Sequence, residues 1–386
     1  MRDRLKHYPV NWQDGMKINK QHFISQDEAW QAAVQDAAAH QLSAIQYGLL
    51  PLAAGEEDNF NVSISVDNQL TVRVTVMACQ AVTAGGARIS IPGLGQAMGQ
   101  ADAYPTISHT FEPGLTDTQW WVILLVHPLQ RQPAGSPNLQ EVPARLPFTQ
   151  PSYQVVIANP ADWKQYQMHP YAMPIGKLKT VGNSIVADEE YIPPACTISA
   201  SPDLQNLLQE IDSFMGNLES RCSAIVQKIF KKSQPNDLSE LVQFLCDRMM
   251  LHIGSSLTTM RWMMLHQSPA YLFAALAALA RVMKNTIDLR IGSGKEEMMN
   301  YLCEWCELKQ GELETMLISL AAMRYDHNDV NANIPRIVEF VRIIDRLFDT
   351  LSKLDYIGKR RDAGIFVKEE KPDLMEPPKA KRRFFG

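Results

Sequence analysis

The chain has 386 residues, of which 46% are hydrophobic and 20% charged, and it carries a formal net charge of -5. That size and apolar content allow two or three domains, each with a sizeable core. The mild acidity gives the whole molecule no attraction for nucleic acid or anionic lipid, so any such binding would need a local patch.

In chain order, a short arm leads into a first helix. Ser25 and Glu28 have capping-box spacing, with the serine accepting from an early helix N–H and the glutamate reaching back to the serine N–H. Trp30, Val34, Ala37, Ala38, Leu42 and Ile45 then follow at helical spacing and give one apolar face. Residues 60–195 read as β-rich. Val62, Ile64 and Val66 alternate with Ser63 and Ser65, and Leu70, Val72, Val74 and Val76 alternate with Thr71, Arg73 and Thr75. A two-residue period puts one face on a core and the other in water. Gly85-Gly86 supplies a turn before Ile89 and Ile91. Trp121 to Val126 is a continuous apolar run, as in a strand buried on both faces, and Tyr153 to Ile157 is a further strand. The dense prolines between 128 and 151 predict a long surface connection.

Pro193-Pro194 marks a change of character, and the chain beyond it is helical. Ser201-Pro202 pairs an N-cap residue with proline at the first helical position, where its missing N–H costs nothing. Leu204, Leu207, Leu208, Ile211, Met215, Leu218, Cys222, Ile225 and Ile229 form a stripe. Asp237 and Glu240 repeat the capping spacing before Leu241, Leu245 and Met249. Ser268-Pro269 restarts a helix through Leu272, Leu276, Leu279 and Met283, and 333–354 is the last long one. The expected fold class is α+β and multidomain. An arm and helix occupy 1–50, a β-sandwich 51–195 and a helical bundle 196–356, and a disordered tail occupies 357–386.

Candidate chemistry is sparse. Cys303-Glu-Trp-Cys306 offers two thiols at i, i+3, but no second pair follows to complete a zinc site. The six cysteines are scattered, which is not a disulfide framework and points to reduced thiols in a cytosolic setting. His252 and His266 lie on helices among apolar residues and read as hydrogen-bonded structural histidines. Gly292-Ser-Gly294-Lys295 lacks the full phosphate-loop pattern, and no GxSxG elbow occurs. Glu56-Glu57-Asp58 reads as a solvated turn. No cofactor, metal or catalytic residue is expected. The N-terminus lacks the apolar core of a signal peptide. The most apolar stretch, Tyr271 to Ala280, falls short of the ~20 residues that span a bilayer, so no direct membrane insertion is expected. The tail ends in Lys379, Lys381, Arg382, Arg383, Phe384 and Phe385, a combination suited to docking in an acidic, apolar-lined groove.

Four segments in order carry a family resemblance. Trp12-Gln-Asp14-Gly15-Met16-Lys-Ile18-Asn-Lys-Gln21-His22-Phe23 resembles the opening of the type VI secretion baseplate protein family TssK, with Asn19-Lys20 departing from its pattern. Tyr171 to Gly176 and then Asp188 to Pro194 are similar to that family's link between its first two domains. Pro269 to Leu276 resembles its central helix, and Tyr325-Asp326-His327-Asn328-Asp329 its segment before the last bundle helix. The resemblance implies a homotrimer with a β-sandwich shoulder and a helical neck, here with an extra helical insertion near 292–320 and without the family's C-terminal head. It implies a structural adaptor, not an enzyme, at the cytoplasmic side of the inner membrane. The implied partners are TssF- and TssG-like wedge proteins, TssE, and a component of the membrane complex; nucleic acid is not among them. Trp12, Asp14, Gly15, Met16, Ile18, His22 and Phe23 are the wedge anchors it implies. The alternative is an adaptor of a phage-like tail.

Overall fold

In the computed structural model, the described residues are 7–56, 58–91, 104–112, 118–231, 236–292, 294–306 and 308–358. The chain divides into two compact units. One comprises Met1–Ser201 with Asp326–Asn331, and the other Pro202–Tyr325 with Ala332–Gly386. The first is mainly β and the second helical, so the fold class is α+β, as the alternation and stripe patterns predict.

The first unit opens with helix α1 (Lys20–Gln41). The helix starts earlier than the Ser25–Glu28 spacing suggests. Asn19 caps it, its Oδ1 accepting from the amides of Gln21 (2.9 Å) and His22 (3.2 Å), while His22 Nδ1 accepts from the Asn19 amide. An asparagine with a reciprocating side chain three residues on satisfies two orphan donors, and nothing between Lys20 and Ile24 interrupts the helix. Next come β1 (Gly48–Leu49), β2 (Phe60–Val66), β3 (Thr71–Val82), β4 (Arg88–Ile91) and β5 (Thr106–Thr110), all antiparallel and all pairing with β3. Then follow β6 (Gln119–Ala134), β7 (Phe148–Ala158), helix α2 (Pro160–Gln167), β8 (Ala172–Val181) and β9 (Ser184–Ala187). The second sheet has the order β7-β6-β8-β9.

The two sheets form a sandwich. Val72, Val74, Val76 and Ala78 of β3 are fully buried, as their alternation predicts. A Cβ on Gly176 of β8 would meet Ile64 of β2 at 3.0 Å and Val122 of β6 at 3.5 Å, so Val122 faces the first sheet. The opposite face of β6 has its own cover. Trp121, Ile123 and Leu125 pack with Trp163 of α2, Ala158 and Ala172, and the Trp121 and Trp163 rings stack at 5.2 Å and 4°. This is why the 121–126 run shows no alternation: both faces are removed from water, each fully buried large side chain contributing about 1.5–3 kcal/mol. The proline-rich stretch differs from expectation. β6 continues through Pro128 and Pro133, and β7 starts at Phe148, so the connection shrinks to 135–147. Pro128 has no N–H for the ladder, and the β6–β7 register shifts between His127 and Arg131.

The second unit holds α3 (Pro202–Lys231), α4 (Asp237–Met263), α5 (Pro269–Asp288), α6 (Lys295–Cys306), α7 (Gln310–Ala321) and α8 (Ile334–Lys353). α3 packs on α4 and α8, and α5 on α4 and α7. The stripe residues Leu204, Leu207, Ile211, Leu218 and Ile225 of α3 and Ile337, Ile344, Phe348 and Leu351 of α8 are all buried. α5 begins as read, with Ser268 capping and proline in the first turn. For α4 the cap is Asn236, in a box with Ser239, instead of Asp237 with Glu240; both acids lie in the first turn, where the helix dipole favours them. At 20 residues α5 is long and apolar enough to cross a bilayer, which the shorter apolar run did not suggest. Here Leu272, Phe273, Leu276, Leu279, Ala280 and Met283 are buried against the bundle.

Candidate functional site

The N-terminal arm folds back along α1. The Val10 amide donates to Gln26 Oε1 at 3.0 Å, and His7 lies 3.4 Å from the Glu28 carboxylate. The Trp12 ring meets His22 edge-on at 6.0 Å and Phe23 at 6.1 Å. Between them Asp14 and Gly15 form a turn, closed by Met16 N–H donating to Gln13 O, in which Gly15 takes φ +80°. Thus Trp12, His22 and Phe23, separated in sequence by the turn, converge on one face, while Ile18 stands exposed beside them and Met16 is half-buried.

α1 is itself fastened to the sandwich. Gln31 Nε2 donates to Pro128 O at 2.8 Å, within the register shift of β6, and Arg131 reaches Gln31 Oε1 at 2.9 Å and Asp27 at 3.4 Å. Further along, the Gly85-Gly86 turn comes so close that a Cβ on Gly86 would lie 2.4 Å from Gln35 O and 3.0 Å from Ala39 N. So close an approach admits only small and slender side chains on the inward side of α1, and Ala29 is its one buried residue among those described. The large apolar residues of α1 consequently face outward. Trp30 is 65% exposed, Val34 67%, Phe23 57% and Trp12 46%. Spacings of seven and four residues align Phe23, Trp30 and Val34 along one side of the helix. Sequence periodicity detects this stripe but not the side on which it lies, so the exposure of Trp30 and Val34 becomes visible only once the fold is known.

Two of the resemblance segments, Asp188–Pro194 and Tyr325–Asp329, meet in one buried polar knot of the first unit, together with Tyr47 and Lys177. Lys177, adjoining Tyr171–Gly176, pairs with Asp329 and lies 5.0 Å above the Trp121 ring and 5.8 Å from that of Tyr191. Tyr191, from Asp188–Pro194, donates its hydroxyl to Asn328 O at 2.8 Å, and the Ile192 amide donates to Asn331 Oδ1 at 3.1 Å. Tyr47 donates to Asn328 Oδ1 at 2.8 Å, and His327 Nε2 lies 2.8 Å from Tyr47 O, their rings edge-on at 4.6 Å. Burial, reinforced by the Asp326 carboxylate, pushes the Tyr47 hydroxyl up to about 12, and burial drives Tyr191 well above the ordinary phenol range. Burial likewise lowers His327, which is neutral at pH 7. Each of these groups has a partner within the knot, so the arrangement is a lock that holds 326–331 in the first unit. It has no poised nucleophile or base.

The remaining sequence candidates stay apart from both features. Burial pushes the Cys79 thiol up to about 12 and Cys196 to about 11, which removes thiolate character. Cys303 is buried, and among the described residues no group of three metal-ligating side chains occurs. His252 Nε2 is buried without a hydrogen-bond partner among the described residues and burial lowers its pKa, while His266 is exposed; neither is the hydrogen-bonded core histidine expected. Gly292, Gly294 and Lys295 line a cleft of about 640 Å³ with Glu296, Glu297 and Glu304, and Lys295 pairs with Asp288 and Glu314, an acidic setting that repels phosphate. Lys379, Lys381, Arg382, Arg383, Phe384 and Phe385 lie outside the described residues.

Residues 149–284 match the family described as bacterial type VI secretion, EvfL, ImpJ, VasE. The resemblance to the type VI secretion family therefore holds over the span from β7 to α5, which includes Tyr171–Gly176, Asp188–Pro194 and Pro269–Leu276. Among solved structures, a crystal structure of TssK is 14% identical, with 90% of this chain and 70% of that chain covered and a TM-score of 0.48. TssK from the type VI secretion system of EAEC, in complex with a nanobody, is 15% identical over 84% of this chain and 99% of that one, with a TM-score of 0.44. A chain of a type VI secretion baseplate complex is 17% identical over 89% and 99%, with a TM-score of 0.49. No curated protein matched the sequence.

Proposed function

We propose that this protein is a structural, non-catalytic subunit of a type VI secretion baseplate. It acts as a homotrimer that binds TssF- and TssG-like wedge proteins, with TssE as a further component. It links them to the membrane-associated complex at the cytoplasmic side of the inner membrane. The observation that carries the reading is the family match over 149–284, joined to an exposed aromatic surface on a fastened scaffold. Trp12, Ile18, His22 and Phe23, extended by Trp30 and Val34, are the wedge-facing side chains. Asp14, Gly15 and Met16 form the turn that aims them.

A few large aromatic side chains carry most of the energy of a protein interface. Here the Asn19 cap, the Val10–Gln26 bond and the Gln31–Pro128 bond hold the bearing backbone in place beforehand, so little ordering entropy is lost on docking. Three copies presented together gain avidity with no new kind of contact.

The test is affinity purification of the tagged protein from its native cells at low and moderate salt, with bound proteins identified by mass spectrometry. Co-purification of TssF- and TssG-like proteins is the expected result. Their absence, with the bait folded and trimeric, would refute the baseplate role.

A further inference from the structure

Phe244, on α4 of the helical unit, carries two cations against its ring. The Arg290 guanidinium carbon sits 4.4 Å from its ring centroid and that of Arg248 5.1 Å. Arg248 stands one turn along the same helix. Arg290 arrives from the turn between α5 and α6, which presses on α4 closely enough that a Cβ on Gly294 would lie 2.9 Å from Leu241 Cδ1. Neither arginine has an ion-pair partner among the described residues. The carboxylate nearest in sequence to Arg290, Asp288, is held by Lys284 (2.6 Å) and Lys295 (2.8 Å), and Arg290 Nε is buried without a hydrogen-bond partner. Two guanidiniums on one ring with no ion pair among the described residues form a site that carboxylates complete, because the planar fork of arginine matches a carboxylate. The rim is apolar. Leu251, seven residues along α4 from Phe244, is exposed, as are Leu289 and Ile291 on either side of Arg290. The ligand class is thus a segment in which carboxylates stand beside aliphatic side chains.

This chain contains such a segment within reach. The described chain ends at Gly358, whose amide donates to Tyr301 Oη at 3.2 Å, and Ile357 O accepts from Asn236 Nδ2 at 3.0 Å, at the start of α4. Phe244 lies eight residues further along that helix, about 12 Å at 1.5 Å per residue. Residues 359–368 extend to roughly 33 Å at most, which covers that distance. They lead to Glu369-Glu370-Lys371-Pro372-Asp373-Leu374-Met375-Glu376, four carboxylates and one cation beside Leu374 and Met375. The stretch after it, with Lys379, Lys381, Arg382 and Arg383, has the same sign as the site and is repelled by it. Tethering through about ten residues gives an effective concentration near the millimolar range, which favours the chain's own segment over a separate acidic protein.

We propose that the Arg248–Phe244–Arg290 face is the docking site for this chain's own acidic, apolar segment 369–376. Docking there leaves the basic Phe384-Phe385 end free, and the proposal stands independently of the baseplate role. Hydrogen exchange of the full-length protein tests it, with the isolated peptide 366–378 as reference. Amides of 373–376 are expected to exchange at least about tenfold more slowly in the protein than in the peptide. In the variant Arg248→Gln/Arg290→Gln they should return to the peptide rate, with exchange through α4 and α5 unchanged to show that the unit remains folded. The swap Arg290→Glu/Asp373→Arg should recover part of the protection. Peptide-like exchange in the wild-type protein, or protection that survives the Arg248/Arg290 substitutions, overturns the proposal. Protection that grows with protein concentration also overturns it, since the segment then sits on a second copy.

Discussion

Replacing Trp30 with alanine separates an assembly surface from a packing surface. An indole buries about 200 Å² when wholly covered, and Trp30 is 65% exposed, which leaves about 130 Å² for a partner. At about 25 cal/mol per Å², complete coverage is worth about 3 kcal/mol and half coverage about 1.5 kcal/mol. The corresponding loss of wedge affinity is roughly 10- to 200-fold. The fold has less at stake. The third of the side chain already covered amounts to about 70 Å², or about 1.7 kcal/mol, and the better helix propensity of alanine returns about 0.5 kcal/mol. Thermal unfolding therefore shifts by a few degrees, while assembly loses at least an order of magnitude. The assay is titration of the purified protein with a purified TssF–TssG wedge, alongside thermal unfolding and mass measurement of the oligomer. A dissociation constant within twofold of wild type, for a folded protein of unchanged mass, would refute the reasoning. Loss of the proposed trimer with wedge affinity per chain preserved would also count against it, because the stripe would then act between copies.

Three other outcomes follow from the buried features. Asp329→Ala strands Lys177 among Trp121 and Tyr191 without its carboxylate, so the first unit should lose about 3 kcal/mol in denaturant unfolding. Unchanged stability would mean that Lys177 finds another partner. His327 is buried and its pKa lies below the ordinary 6.5, so the unfolded chain takes up this proton first as pH falls. Its contribution is therefore complete above about pH 6.5 and lost below it, at up to about 1.4 kcal/mol per pH unit until the folded-state pKa is reached. His327→Gln should flatten the pH dependence of unfolding in that window, and an unaltered slope would assign the dependence to other groups. Gly48 takes φ +110°, and a Cβ there would lie 2.1 Å from Pro194 O, a backbone atom. Gly48→Ala should thus cost more than about 3 kcal/mol or prevent soluble expression, and a wild-type melting temperature would disprove the close approach.

Much of the architecture is written locally. Alternation over 62–66 and 70–76, the unbroken run 121–126 and the 3.6-residue stripes of α3 and α8 each state a period, and a period follows from neighbours a few residues apart. Ser268-Pro269 marks a helix start because capping involves only the first turn. Where two caps compete within a few residues, as Asn19 does with Ser25 and Asn236 with Asp237, spacing alone misplaces the boundary, because the winner is the side chain whose bonds are reciprocated. The β6 strand runs through Pro128 since the neighbouring strand tolerates a register shift, which local proline content does not reveal.

The sequence by itself determined that there is a β half and a helical half, and that an aromatic arm precedes an amphipathic helix. It also contained the segments that resemble the type VI secretion family. Only the tertiary structure decided which way that helix faces. Its amphipathic period is the same whether Trp30 and Val34 point inward or outward, and the choice was made by Gly86, which approaches Gln35 and Ala39 too closely for a large side chain between them. Only the tertiary structure, too, brought Tyr47, Lys177, Tyr191 and 327–329 into one lock, since an ion pair between residues 152 positions apart leaves no periodic trace in the chain.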